Sequence, residues 1–117
     1  MIYKYLNSES LEQQMFSDLT IVKQFVALYI QQTPIDFALL SEAVDSGDYE
    51  KIRSQAHHIK PTMVYIGALS LKEHFQEMET LAKDRAPMEN IQQEYIFLKT
   101  AIARLMEELT SYEKSLP

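Results

Sequence analysis

Points at which the backbone can reverse are scarce in this chain. It has two glycines, Gly47 and Gly67, and four prolines in 117 residues. Sheets of short strands need turn residues at frequent intervals, and glycine-rich phosphate loops need glycines in clusters; neither supply exists. What punctuation there is cuts the sequence into helix-length pieces joined by short connections, so the chain is expected to be all-α.

The pieces follow from hydrophobic spacing and end signals. A short helix is expected from about Ser8 to Phe16, with Asn7 or Ser8 as N-cap. From Leu19 to Gln32, Ile21, Phe25, Leu28 and Val22, Val26, Tyr29 recur at three- and four-residue spacing. Thr33-Pro34-Ile35-Asp36 reads as a fresh helix start, with proline in the first turn and Asp36 at the positive end of the dipole; whether Pro34 breaks or only kinks the helix stays open. That stretch presents Phe37, Leu40 and Val44 and stops at Ser46-Gly47. Asp48 can cap the next, in which Ile52, Ala56, Ile59, Met63 and Ile66 form a stripe up to Gly67. Ser70 and Glu73 have capping-box spacing ahead of Leu71, Phe75, Met78 and Ala82. After a polar connection from Lys83 to Ala86, Pro87 fits the first turn of a last helix carrying Ile91, Tyr95, Leu98, Ile102, Leu105 and Leu109. Such stripes bury themselves most simply in an up-and-down antiparallel four-helix bundle with a short extra N-terminal helix, a single domain over 1–117.

Composition narrows the function. Seventeen acids against eleven Lys plus Arg give a net charge of −6, which argues against a nucleic-acid binder, because cations supply most phosphate affinity. Without cysteine there is no disulfide, thiolate zinc site or thiol nucleophile. The start MIYKYLNSESLEQQ lacks signal-peptide form, and no apolar run approaches the roughly 20 residues needed to span a bilayer. A cytoplasmic protein is expected.

The three histidines carry what chemistry the sequence offers. His74, among Lys72, Glu73, Gln76 and Glu77, reads as a solvated surface residue. On a wheel of about 100° per residue starting at Ile52, His57 falls near 140° and His58 near 240°, on opposite flanks of the outward face. Arg53 and Lys60 lean to the flank of His57, with Pro61 and Val64 beside them; Ser54, Thr62 and Tyr65 neighbour His58. Two cations beside an exposed imidazole favour its neutral, nucleophilic form and an anion placed on it. The plainer reading is a solvated basic patch on an acidic protein. Metal binding is a poor candidate, because adjacent histidines diverge by about 100° on a helix and position 61, four residues after His57, is proline. No serine follows a strand-to-helix turn, so a hydrolytic triad is no better supported.

The stretch Ala56-His57-His58-Ile59-Lys60-Pro61, with Gly67 ten residues beyond His57, resembles the signature of histidine-containing phosphotransfer (HPt) domains, Ala-His-x-Leu/Ile-Lys-Gly followed by a small and apolar run to Gly. The resemblance extends upstream through Gln-Gln-Thr-Pro and Ser-Gly-Asp-Tyr, and downstream through Gly67-Ala68, Leu71, Phe75, Met78 and Glu79. It covers nearly the whole chain and aligns the family's phosphorylated residue with His57, leaving His58 at the variable position. Two residues depart from the pattern, Pro61 in place of Gly and Met63 in place of a small residue; Pro61 is expected to kink the helix one turn after His57.

The resemblance implies a relay in multistep two-component signalling. An aspartyl phosphate on a response-regulator receiver domain passes its phosphoryl group to Nε2 of His57, and a second receiver accepts it, with a hybrid sensor histidine kinase upstream. Lys60 is then the phosphate neutraliser and Arg53 a weaker second cation. Pro61 and Val64, with a residue or two from the Pro34–Val44 stretch, form a shallow docking surface, and Gly67 permits close packing or partner approach. No cofactor or metal is expected on this chain; Mg2+ belongs to the receiver. It has no ATP motif and is not expected to be a kinase. A monomer is expected, and the starting Met and the length lean towards a free-standing protein. The alternative is a non-catalytic helical interaction module, or a regulator that docks on a kinase or receiver without transfer.

Overall fold

The computed structural model describes residues 2–117. Five helices follow one another: α1 (Ser8–Gln14), α2 (Leu19–Ser46), α3 (Tyr49–Tyr65), α4 (Leu69–Lys83) and α5 (Met88–Ser115). Four of them close a ring, α2 against α3, α3 against α4, α4 against α5 and α5 back onto α2, with α3 and α4 the most extensively packed pair. Their stripes meet in one core in which Phe75, Leu40, Ile52, Ile59, Met63, Leu71, Met78, Leu98 and Leu105 are fully buried. Each such side chain contributes about 1.5–3 kcal/mol relative to exposure. The expected bundle with a short N-terminal helix is therefore present, and the α5 stripe is buried at Ile91, Leu98, Ile102, Leu105 and Leu109.

At 28 residues, α2 and α5 run about 42 Å, whereas the 17 residues of α3 reach only about 26 Å. The long pair overhangs the short pair, and α1 fills the space left at that end, packing on α2 and α3 and burying Leu11. Residues 3–6 cross α5, where the fully buried carboxylate of Glu108 accepts the backbone N–H groups of Lys4, Tyr5 and Leu6 at 2.7, 2.9 and 2.9 Å. Arg104 donates to the same carboxylate at 2.7 Å. Burial alone would raise the pKa of Glu108; these donors more than offset it, and the group is held below the ordinary carboxylate value.

The caps expected at Asn7 and Asp48 are present: Asn7 accepts from the Ser10 amide at 3.0 Å and Asp48 from the Lys51 amide at 3.1 Å. Gly47, at φ +66°, closes α2.

Several expectations are corrected. Pro34 does not begin a helix but lies inside α2. The helix loses the bond a residue-34 amide would give Ile30. Val22, Val26 and Tyr29 before it and Leu40, Ala43 and Val44 after it are nevertheless buried on one continuous stripe, so packing holds both halves as one rod. Asp36 accordingly is no first-turn residue; it is buried in mid-helix and accepts from Gln32 at 3.1 Å. Phe25 and Leu28, read as part of a buried repeat, are substantially exposed. The first helix stops at Gln14, two residues early, because Phe16 and Ser17 both turn to φ +56°. Ser70 makes no capping box: the chain reverses through Gly67 at φ +73° and the buried Ala68, so Leu69 and Ser70 are already helical and cannot take the extended cap conformation. Pro87 sits at the N-cap position, one residue ahead of the first turn, and its carbonyl accepts from Asn90 at 2.9 Å.

Candidate functional site

α3 turns Ile52, Ala56, Ile59 and Met63 into the core, which sends His57, His58 and Pro61 outward. The helix continues through Pro61 to Tyr65. His57 is the more exposed histidine, its side chain 67% accessible, and its Nδ1 lies 2.9 Å from Oε1 of Glu79 on α4. The other carboxylate oxygen of Glu79 accepts from Nζ of Lys60 at 2.8 Å, and that ammonium also donates to Oε1 of Gln76 at 2.6 Å. Lys60 and Glu79 are only 18% and 16% exposed, so the contacts are partly sheltered from solvent. Phe75 and Met78 are buried beside them on α4, which fixes the face that carries Gln76 and Glu79 towards α3.

This geometry selects the tautomer of the imidazole. Burial by itself would raise the pKa of Glu79, but hydrogen bonds from Lys60 and His57, together with their charges, hold it below the ordinary carboxylate value. An ionised carboxylate can only accept, so Nδ1 carries the proton shared with Glu79. In the neutral ring the lone pair is then on Nε2, at the edge facing away from α4. Chemically the arrangement presents one oriented, exposed nitrogen nucleophile with a carboxylate behind it to balance positive charge on the ring.

Sequence reasoning found His57 and Lys60 but not Glu79 or Gln76 as site residues. Their signal was spacing: two polar residues three apart on α4, each adjacent to a core position. The expected pair of uncompensated cations is also corrected. Lys60 is matched by Glu79, while Arg53 turns back to Glu50 at 3.2 Å and borders the groove between α2 and α3. Arg53 is thus not brought to His57. His58 leans the other way, its Nε2 3.6 Å from Oδ1 of Asp36 on α2.

Among the remaining site residues, Pro61 is exposed on the crown of α3 and Val64 is half-buried. On α2, in the stretch from which apolar docking residues are expected, Ile35 and Leu39 are exposed. Gly67 is buried: a Cβ there would come within 2.7 Å of Cβ and 2.9 Å of the carbonyl oxygen of Asn7. Of the two roles expected of Gly67 the structure shows close packing, here against the N-terminal segment, and its burial argues against the docking role. His74 is corrected too. It is half-buried, bonded through Nδ1 to Glu94 at 2.5 Å and set edge-on to Phe97.

Among the described residues no group of three metal-ligating side chains gathers, and no helix is long and apolar enough to cross a membrane.

No curated protein matches the chain. Its fold is similar to that of the HPT domain from a sensor hybrid histidine kinase of Shewanella, with a TM-score of 0.84 over 96% of each chain at 17% identity. The Hpt domain family matches residues 24–111, from the first third of α2 to near the end of α5, a span that contains His57, Lys60, Gln76 and Glu79 together. The chain belongs to the Hpt domain family, the histidine phosphotransfer intermediates of phosphorelays.

Proposed function

We propose that His57 is the residue that carries the phosphoryl group, passing it between aspartates of receiver domains downstream of a hybrid sensor kinase. The observation that supports this most is the Nδ1 contact to Glu79 at 2.9 Å on a ring that is 67% exposed. In the forward step the Nε2 lone pair attacks phosphorus, and the bond between phosphorus and the receiver's aspartyl oxygen breaks. The aspartate leaves as a carboxylate, and the positive charge gained by the ring is balanced through Nδ1 by Glu79. The second receiver reverses the step with its own aspartate. Mg2+ and the acidic residues that organise in-line transfer belong to the receiver, and this chain contributes no ATP site.

Lys60 has two tasks in this reading. It holds Glu79 in place at rest and supplies the nearest positive charge once the phosphoryl group arrives. Pro61, Val64, Ile35 and Leu39 form a shallow apolar surface beside the histidine, suited to a modest, transient interface. The bundle covers its own core and works as a monomer in the cytoplasm.

Incubation with receiver domains loaded from acetyl phosphate tests the assignment. Acid-labile, alkali-stable label is expected on the wild type and on His58→Gln, and none on His57→Gln. Binding without label in every receiver tried would favour the non-catalytic docking module instead.

A further inference from the structure

A second feature lies two helical turns along from His57. Where α1 gives way to α2, Met15, Phe16, Ile21, Phe25 and Tyr65 border an open groove of about 440 Å³ with no charged side chain in its lining. Phe16 stands at its edge, 91% exposed, on a backbone of φ +56° that bulky residues rarely adopt. Hydrogen bonds hold that turn: the Ser17 amide donates to the Glu12 carbonyl at 2.8 Å and the Asp18 amide to the Met15 carbonyl at 3.1 Å. The amide of Gln14 then ties α1 to the end of α3, donating to the carbonyls of Val64 and Tyr65 at 3.0 and 3.2 Å. An aromatic ring is therefore presented to solvent by a fixed turn rather than by a loose loop.

We infer that this groove is the distal anchor of the receiver that docks on His57, taking an apolar side chain of that receiver against Phe16. The inference rests on the phosphotransfer reading and adds where the partner is held. Continuity argues for it. Tyr65 follows His57 by eight residues, about 12 Å along α3 and about 80° around it. Even a modest partner footprint of roughly 600 Å² has a radius near 14 Å, so a receiver centred on His57 reaches the groove. The two flanks of the histidine also differ. Gln76, Glu79 and Lys60 make the α4 side polar, while on α2, antiparallel to α3, the exposed Ile35 and Leu28 step from the level of the histidines back towards Phe25 in the groove. Aromatic side chains in such pockets tend to carry a large share of binding energy.

The test separates docking from chemistry. Phosphoramidate, a small donor that needs no docking surface, is used beside the receiver that labels the wild type fastest in a panel loaded from acetyl phosphate. Phe16→Gly removes the ring and suits the positive φ, so its thermal midpoint should not fall. It should label as the wild type does with phosphoramidate, yet show about a tenfold higher KM for the phosphoreceiver with kcat unchanged. Phe16→Leu should recover most of that loss, and Ile96→Ser on α5, which removes another exposed apolar residue elsewhere, should change nothing. An unchanged KM in Phe16→Gly overturns the inference. So does self-association of the chain that Phe16→Gly abolishes, which would give the groove to a second copy. Failure of phosphoramidate to label His57 in the wild type would instead overturn the phosphotransfer reading beneath it.

Discussion

Two histidines in this bundle are held in the same way. His57 on α3 binds Glu79 of α4 through Nδ1, and His74 on α4 binds Glu94 of α5 through Nδ1. In both, a carboxylate on the following helix orients the ring and leaves Nε2 at the free edge. The surroundings differ. His57 is 67% exposed and shares its carboxylate with Lys60; His74 is 37% exposed and has the ring of Phe97 centred 4.1 Å away. Orientation of an imidazole by a carboxylate thus occurs twice in this bundle, and by itself it marks no phosphorylation site. What sets His57 apart from His74, and supports the role proposed for it, is the combination of orientation, greater exposure and a neighbouring ammonium.

Substitutions can break that comparison. The largest expected effect is qualitative: His57→Gln should lower receiver-dependent labelling to background, whereas His74→Gln should label at the wild-type rate. Label on His74 in the first variant would show that orientation suffices. Next, Glu79→Ala should slow transfer roughly 10- to 100-fold, the loss typical when the partner that orients a metal-bound histidine is removed. Glu94→Ala should leave the rate within about twofold, as followed by rapid-quench labelling.

Acid sharpens the contrast. The folded pKa of Glu79 lies below that of the unfolded chain, so its contribution to stability is present above the ordinary glutamate value of 4.5 and is lost as pH falls through the depressed folded value. Urea midpoints of wild type and Glu79→Gln should therefore differ by a constant amount near neutrality and converge only in acid. The constant should be about 1 kcal/mol, the upper end for an ion pair at the surface, because this one is partly sheltered from solvent. A gap that widens as pH falls would contradict the sign. The smallest effect tests the ammonium. Glu77→Lys in a His57→Gln background gives His74 a lysine three residues on, in the spacing of His57 and Lys60, and should yield at most faint phosphoramidate label on His74. Transfer to it from a receiver within tenfold of the wild-type rate would mean that the apolar flank is dispensable.

These two sites also show what was legible in the sequence. The stripe of α5 and the caps at Asn7 and Asp48 are local patterns, and they reappear where the periodicity puts them. His57 and Lys60 were legible because both lie within one turn of one helix. Glu79 and Gln76 were not, since they meet His57 and Lys60 only through the packing of α3 on α4, 16 to 22 residues away in the chain. For the same reason His74 was misread: its partner Glu94 is 20 residues on. Pro34 misled in the opposite direction. A strong local stop signal was overridden by a buried stripe that continues on both sides of it. Glu108 left a trace that could have been followed, an acid spaced three and four residues from the apolar Leu105 and Tyr112, which are buried with it.

That buried acid orders events in time. The segment 4–6 has its backbone donors satisfied by a side chain 102 to 104 residues later, so during synthesis it waits for its partner until α5 has been made as far as Glu108. Closing so long a loop costs conformational entropy that only an otherwise assembled bundle can repay. Attachment of this strap therefore follows the assembly of the bundle it lies on, whereas α1, which rests on α2 and α3, does not have to wait for Glu108.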